Sequence, residues 1–184
     1  MDDREYKSII GAILYVWAEP IHLGEIASII DLNKVTTKRL LKELQDEIEH
    51  YRRGIVLNDY DDYYQFSTRL EHGKYLSKLV KDNKKRELSN SSMETLSIIA
   101  YKQPVTRIEV DNIRGVKSSS SIDTLVKRGL ITEVGRLDKI GKPILYGTTL
   151  EFLRFFNIES LEQLPQIKDI DKLDEHLLDG DYED

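Results

Sequence analysis

Trp17-Ala18-Glu19-Pro20-Ile21-His22-Leu23-Gly24-Glu25-Ile26 and Tyr101-Lys102-Gln103-Pro104-Val105-Thr106-Arg107-Ile108-Glu109-Val110 share one frame at an offset of 84 residues. The offset pairs an aromatic with an aromatic, proline with proline, and Glu25 with Glu109. Further along it sets Ile29 against Ile113 and Leu41 against Leu125. Apolar matches flanking a shared proline indicate a divergent repeat of a unit of roughly 80 residues, present twice. Upstream of Pro20, Tyr6, Ile9, Ile10, Ile13, Leu14 and Trp17 recur at helical spacing, and the proline stops that helix. Ile21, Ile26, Ile29 and Ile30 mark a short second helix. A third begins at the cap residue Asn33 and buries Leu40, Leu41, Leu44, Ile48 and Tyr51. Ile55 and Leu57, the turn-rich stretch Asn58 to Asp62, and Tyr64, Phe66 and Thr68 read as a β-hairpin. Leu70, Tyr75, Leu76, Leu79 and Val80 suggest one more helix, followed by the polar run Lys81 to Arg86.

The second copy repeats this order with stronger punctuation. Ser91 with Glu94 and Thr106 with Glu109 have capping-box spacing, and Gly115 and Gly129 stand where left-handed helix ends are wanted. Leu130 to Leu137 and Ile144 to Thr149 read as strands around the loop Asp138 to Pro143. Thr148 and Glu151 then cap a last helix through Phe152, Phe155 and Phe156. Three helices followed by a hairpin describe a winged helix. The fold class is mainly α with small β-hairpins (α+β), as two tandem winged-helix domains. Residues 1–85 form the first and 86–164 the second, and 165–184 form an acidic tail.

Composition narrows the function. The net charge of −6 resides in the tail, which holds eight acids against Lys168 and Lys172, leaving 25 acids and 25 bases in residues 1–164. A neutral body binds nucleic acid weakly unless its charges are segregated. The tail's Ile167, Ile170, Leu173 and Leu177 are spaced for a short amphipathic helix on a partner. No apolar run approaches membrane-spanning length, and the acidic start Asp2-Asp3 does not read as a signal peptide. With no cysteine, thiol chemistry and disulfides are excluded, which fits a reducing cytoplasm.

Catalytic signals are poor. His22, His50, His72 and His176 lack metal-ligand spacing, so neither a metal nor a cofactor is expected. Gly135 to Lys142 resembles a phosphate loop but has one residue too many between its glycines. Pro143 also stands where a magnesium-holding Ser or Thr belongs. A winged-helix DNA-binding regulator is the serious alternative. In the first unit Lys34, Lys38, Arg39 and Lys42 are offset by Glu43, Asp46, Glu47 and Glu49, and the wing tip carries Asp59, Asp61 and Asp62. The second unit has Lys117, Lys127 and Arg128 near its third helix and Arg136, Lys139 and Lys142 on its wing. Weak DNA contact therefore belongs to that unit if to either. Ten tyrosines favour a protein that binds proteins.

The stretches Glu94 to Val116, Leu125 to Arg136 and Gly141 to Thr149 resemble the signature of the segregation and condensation protein B family, and they cover the second unit almost entirely. The resemblance implies two winged helices, homodimerisation and a non-catalytic place in the SMC–kleisin complex. It also implies binding to the kleisin subunit (segregation and condensation protein A), contact with SMC through the kleisin, and a cytoplasmic, nucleoid-associated location. Within the motif, Ile98, Ile99, Val105, Val110, Ile113, Leu125 and Val126 are spaced as core, and Gly115, Gly129 and Gly147 as turn glycines. Tyr101, Lys102, Gln103, Arg107, Arg114 and Arg136 are not needed to fill a core, so they are the candidate kleisin-binding residues. Capping and interhelix salt bridges account for them equally well. Ile9, Ile13 and Trp17 form a stripe broad enough for a small core plus a dimer interface in the first unit.

Overall fold

The computed structural model describes residues 1–79 and 88–166. Val80, the run Lys81 to Arg86, the expected boundary near residue 85 and the tail helix from Ile167 lie outside the described residues. Helix α1 (Asp3–Trp17) starts where the Asp2 carboxylate accepts the Glu5 N–H at 2.8 Å, and it buries Ile10 and Leu14. Strand β1 (Ile21–His22) leads into α2 (Leu23–Ile29). Helix α3 (Lys34–His50) is capped by Asn33, whose side chain accepts the Thr36 N–H at 2.9 Å. Strands β2 (Ile55–Tyr60) and β3 (Tyr63–Thr68) are joined by Asp61 and Asp62 alone, both at positive φ. That geometry matches the twist of a two-residue hairpin, so the turn is tighter than the stretch Asn58 to Asp62 suggests. A 3-10 turn (Leu70–His72) and the four-residue α4 (Gly73–Leu76) close the unit.

The second unit runs α5 (Asn90–Lys102), β4 (Val105–Thr106), α6 (Arg107–Arg114), α7 (Ser119–Lys127), β5 (Ile131–Arg136), β6 (Ile144–Thr148) and α8 (Leu150–Phe156). Among the described residues there are two three-stranded antiparallel sheets, ordered β1-β3-β2 and β4-β6-β5. The same topology at the same offset makes both units winged helices. Ile21 pairs with Tyr64 in one, and Val105 with Tyr146 in the other. The third strand of each sheet is absent from the sequence reading because two residues are too few to show alternation.

Each helix bundle closes over its own sheet. Ile10, Leu14, Ile26, Leu40 and Leu41 centre the first core, and Leu96, Ile99, Val110, Leu125 and Phe152 the second. The Thr106–Glu109 capping box is complete, and its Thr106 N–H bond holds the Glu109 carboxyl below the usual carboxylate range. Elsewhere the local reading slips. The α5 cap is Ser89, not Ser91, and α8 is capped by Thr149, not Thr148. Tyr51, Ile113 and Val126 are exposed where core was expected. Leu70, Tyr75 and Leu79 are exposed as well, and Phe155 and Phe156 lie at the surface.

Gly147 serves no turn. It lies within β6 opposite Thr132, next to the pairs Glu133–Tyr146 and Gly135–Leu145 that flank a bulge, and a Cβ there would sit 2.9 Å from Val134 Cγ1 and 3.0 Å from Gln103 Oε1. Gly147→Ala is expected to cost about 1–3 kcal/mol by overpacking. Gly11→Ala, in α1 with nothing within 4 Å of its Cβ, is expected to gain about 0.5–1 kcal/mol from helix propensity. Thermal unfolding of the two variants should move in opposite directions.

The two units meet at the first wing. Tyr60, 3% exposed, belongs to the second unit's core, and Asn58 Nδ2 donates to its hydroxyl at 2.7 Å. Beside it the Asp61 N–H donates to the Glu159 carbonyl at 2.9 Å, and Arg154 bridges to Glu19 at 3.3 Å. The seam is thus apolar at its centre and polar at its margin.

Candidate partner-binding surfaces

An apolar groove opens between the end of α1 and α2. Ile13, Val16, Trp17, Ile21 and Ile29 line a cavity of about 640 Å³, with Glu25 its one charged lining residue. Its origin is the run Ala12 to Trp17, which is apolar at every position, so a helix that turns Leu14 inward must turn Val16 outward. Val16 exposes 81% of its surface, and Trp17 and Ile29 57% each. Ile13 and Trp17, expected at a dimer interface, therefore lie where a partner can reach them. Ile9, like Ile13, packs partly against the first core, but it does not line the groove. Val16 and Ile29 were missed, since periodicity assigns residues to faces without saying which face is covered.

The second surface is the pocket between the start of α6 and the second wing. Arg107, Arg136 and Lys142 surround Ile108, Ile144 and Tyr146 in a cavity of about 310 Å³. Burial, then Glu133, raises the Tyr146 hydroxyl above its ordinary value, while Arg107 and Arg136 act in the opposite direction. Among the described residues no carboxylate lies within salt-bridge distance of Arg107, Lys139 or Lys142, and Arg136 reaches Glu133 only at 3.9 Å. The first unit is different. Lys38 pairs with Asp62 at 2.6 Å, Arg39 with Asp3 at 2.9 Å and with Glu43, and Lys42 with Asp46 at 2.9 Å. Its third-helix cations are therefore largely neutralised.

The remaining candidates divide. Gln103 clamps the end of α5 to β6: its Oε1 accepts the Thr148 N–H at 2.7 Å, and its Nε2 donates to the Ala100 carbonyl at 3.1 Å. The Arg114 side chain is 5% exposed and donates to Glu94, Ser91 and Ser118. Both make contacts within the fold, the capping and interhelix bridging that accounts for such residues equally well. Glu94, expected as the α5 capping partner, is drawn away by Arg114. Tyr101 is half-buried and donates to the Pro165 carbonyl at 2.6 Å, while Lys102 is exposed beside it. Tyr101, Lys102, Arg107 and Arg136 thus remain near the surface, though Tyr101 already has a partner.

Among the described residues no group of His, Asp and Glu side chains is placed to hold a metal, and no helix is long and apolar enough to cross a membrane.

The model of the family described as segregation and condensation complex subunit ScpB matches residues 8–167. The segregation and condensation protein B of Alkaliphilus metalliredigens (strain QYMF) is 44% identical, over 97% of this chain and 94% of its own length. That of Alkaliphilus oremlandii (strain OhILAs) is 43% identical over 100% of both. Among solved structures, ScpB from Mycobacterium tuberculosis is 32% identical, covering 85% of this chain and 97% of its own, with a TM-score of 0.43. A dimer of the ScpB N-terminal domain complexed with ScpA peptide is 29% identical, covering 42% of this chain and 96% of its own, with a TM-score of 0.40. Matched over most of its length by that family's model and by relatives above 40% identity, the chain belongs to the segregation and condensation complex subunit ScpB family.

Proposed function

We propose that this chain is a non-catalytic, homodimeric adaptor of the SMC–kleisin complex in chromosome condensation and segregation, acting in the cytoplasm on the nucleoid. The first unit, residues 1–85, dimerises, and the second, residues 86–164, holds the kleisin subunit, through which the adaptor reaches SMC. Family membership supports the setting. The observation that carries the mechanism is the groove of Ile13, Val16, Trp17 and Ile29, an apolar surface that a second copy related by a two-fold axis would cover. The exposed Lys102, Arg107 and Arg136 then offer the kleisin a polar docking rim on the second unit. DNA contact, where it occurs, is confined to that unit's wing and is weak, because the first unit's third helix is neutralised by its own carboxylates.

Analytical ultracentrifugation of the full chain tests the dimer. The unmodified chain should sediment as a dimer and Ile29→Asp as a folded monomer, since an uncompensated carboxylate in a desolvated interface costs several kcal/mol. A wild-type monomer, or a dimer indifferent to Ile29→Asp, would sink it. Calorimetry with the kleisin subunit tests the second unit: Arg107→Glu should weaken binding about tenfold or more without lowering the melting temperature. Unchanged affinity removes this surface. Sequence-specific DNA binding that survives physiological salt would replace the adaptor with a DNA-binding regulator.

A further inference from the structure

We infer that the Arg107–Arg136–Lys142 pocket is the docking site of the chain's own acidic C-terminal segment, residues 167–184. The inference starts from a charge imbalance. Among the described residues no carboxylate lies within salt-bridge distance of Arg107 or Lys142, which line one pocket with Arg136, and Lys139 on the same wing acts on the Glu109 carboxyl only from beyond that distance. In the first unit most cations near the third helix and the wing are paired (Lys7, Lys38, Arg39, Lys42, Arg52 and Arg69), and Lys34, Lys74 and Lys78, unpaired among the described residues, do not line that pocket. A cluster of cations with a half-buried aromatic floor is a site for an anionic, partly apolar ligand.

Segment 167–184 has that chemistry. It carries eight acids and two lysines, with Ile167, Ile170, Leu173 and Leu177 interspersed. Its carboxylates suit Arg107, Arg136 and Lys142, and its aliphatic residues suit Ile108, Ile144 and Tyr146. The first unit's wing tip, with Asp59, Asp61 and Asp62, repels it. Its root is fixed on the correct unit, because Tyr101 holds the Pro165 carbonyl at the end of α5. From there, eighteen residues extend up to about 60 Å. That is about twice the ~30 Å diameter of a unit this size. A tethered segment meets the pocket at an effective concentration of order millimolar, so a separate acidic segment must displace it. The docking does not depend on the adaptor reading.

Carbodiimide, which joins a lysine amine to a carboxylate in contact with it, tests this on the full-length chain at low ionic strength. Mass spectrometry should find Lys139 and Lys142 joined to acids between 169 and 184. Mixed ¹⁴N and ¹⁵N chains should show these links within one chain. In the full-length Arg107→Glu/Arg136→Glu variant they should fall about tenfold, while the Lys38–Asp62 link, from an ion pair in the other unit, persists as the control for an intact fold. Tail links spread evenly over lysines such as Lys34, Lys74 and Lys78 would overturn the inference. So would links to a second copy, or wing links unaffected by the double variant. No kleisin is present, so failure here leaves the adaptor reading standing, and failure of kleisin binding leaves this one.

Discussion

Tyr60→Ala, a change in the first unit, is expected to loosen the second. Tyr60 sits at the end of β2, yet its ring is 3% exposed and packs with the cluster that contains Phe152, Leu153 and Ile99. Truncating a buried aromatic to alanine costs about 3–5 kcal/mol, part of it from the cavity left behind. Asn58 keeps its 2.9 Å bond to Ser67 but loses the Tyr60 hydroxyl. Hydrogen exchange read by mass spectrometry should therefore rise in α8 and the end of α5 as well as in β2 and β3. Tyr60→Phe keeps the ring and forfeits only one hydrogen bond, worth about 1 kcal/mol, so its exchange should stay near that of the parent. If Tyr60→Ala affects β2 and β3 alone, the ring serves its own sheet and the units are coupled only through Asp61–Glu159 and Arg154–Glu19.

No local signal in the sequence announces this seam. Tyr60 follows Asp59 in a turn-rich stretch, and its partner core is built from residues between Leu96 and Leu153, all in the other unit. What could be read was what is local. Asn33 and Thr106 are caps whose bonds reach only three residues, and the 84-residue offset recovers the shared topology because Pro20 and Pro104 end α1 and α5 in equivalent places. Ile29 and Ile113 match across the repeat yet are both exposed. Matching shows that two positions are equivalent and leaves open whether they are covered. Of the surfaces, Ile13 and Trp17 were visible as surplus apolar residues on α1, and Arg107 and Arg136 as polar residues outside the core. Gln103 and Arg114 looked the same in sequence. Whether a side chain's donors turn inward depends on groups brought together by folding, such as Thr148 for Gln103.

Arg114 separates these two kinds of polar residue by experiment. Its guanidinium forks onto Glu94 Oε2 from Nε at 3.0 Å and Nη2 at 2.8 Å, and reaches Ser91 at 3.1 Å and Ser118 at 3.4 Å. It thereby ties α6 to α5 and to the start of α7, where Asp111 accepts the buried Ser118 N–H at 2.7 Å. Arg114→Ala removes several charge-assisted bonds at once and should cost about 2–4 kcal/mol, less than a fully buried pair because Glu94 is half exposed. Arg114→Lys should recover only part of this, since an ammonium cannot reproduce the fork. Arg136→Ala, on the exposed wing, should change stability by no more than about 0.5 kcal/mol. Chemical denaturation of the three variants decides the matter. A partner-contact arginine would show the reverse order of sensitivity, with Arg114→Ala melting like the parent and only binding affected. That result would place Arg114 back on the docking surface, and the clasp between α5 and α6 would then have to rest on the apolar contacts of Leu96, Ile99 and Val110 alone.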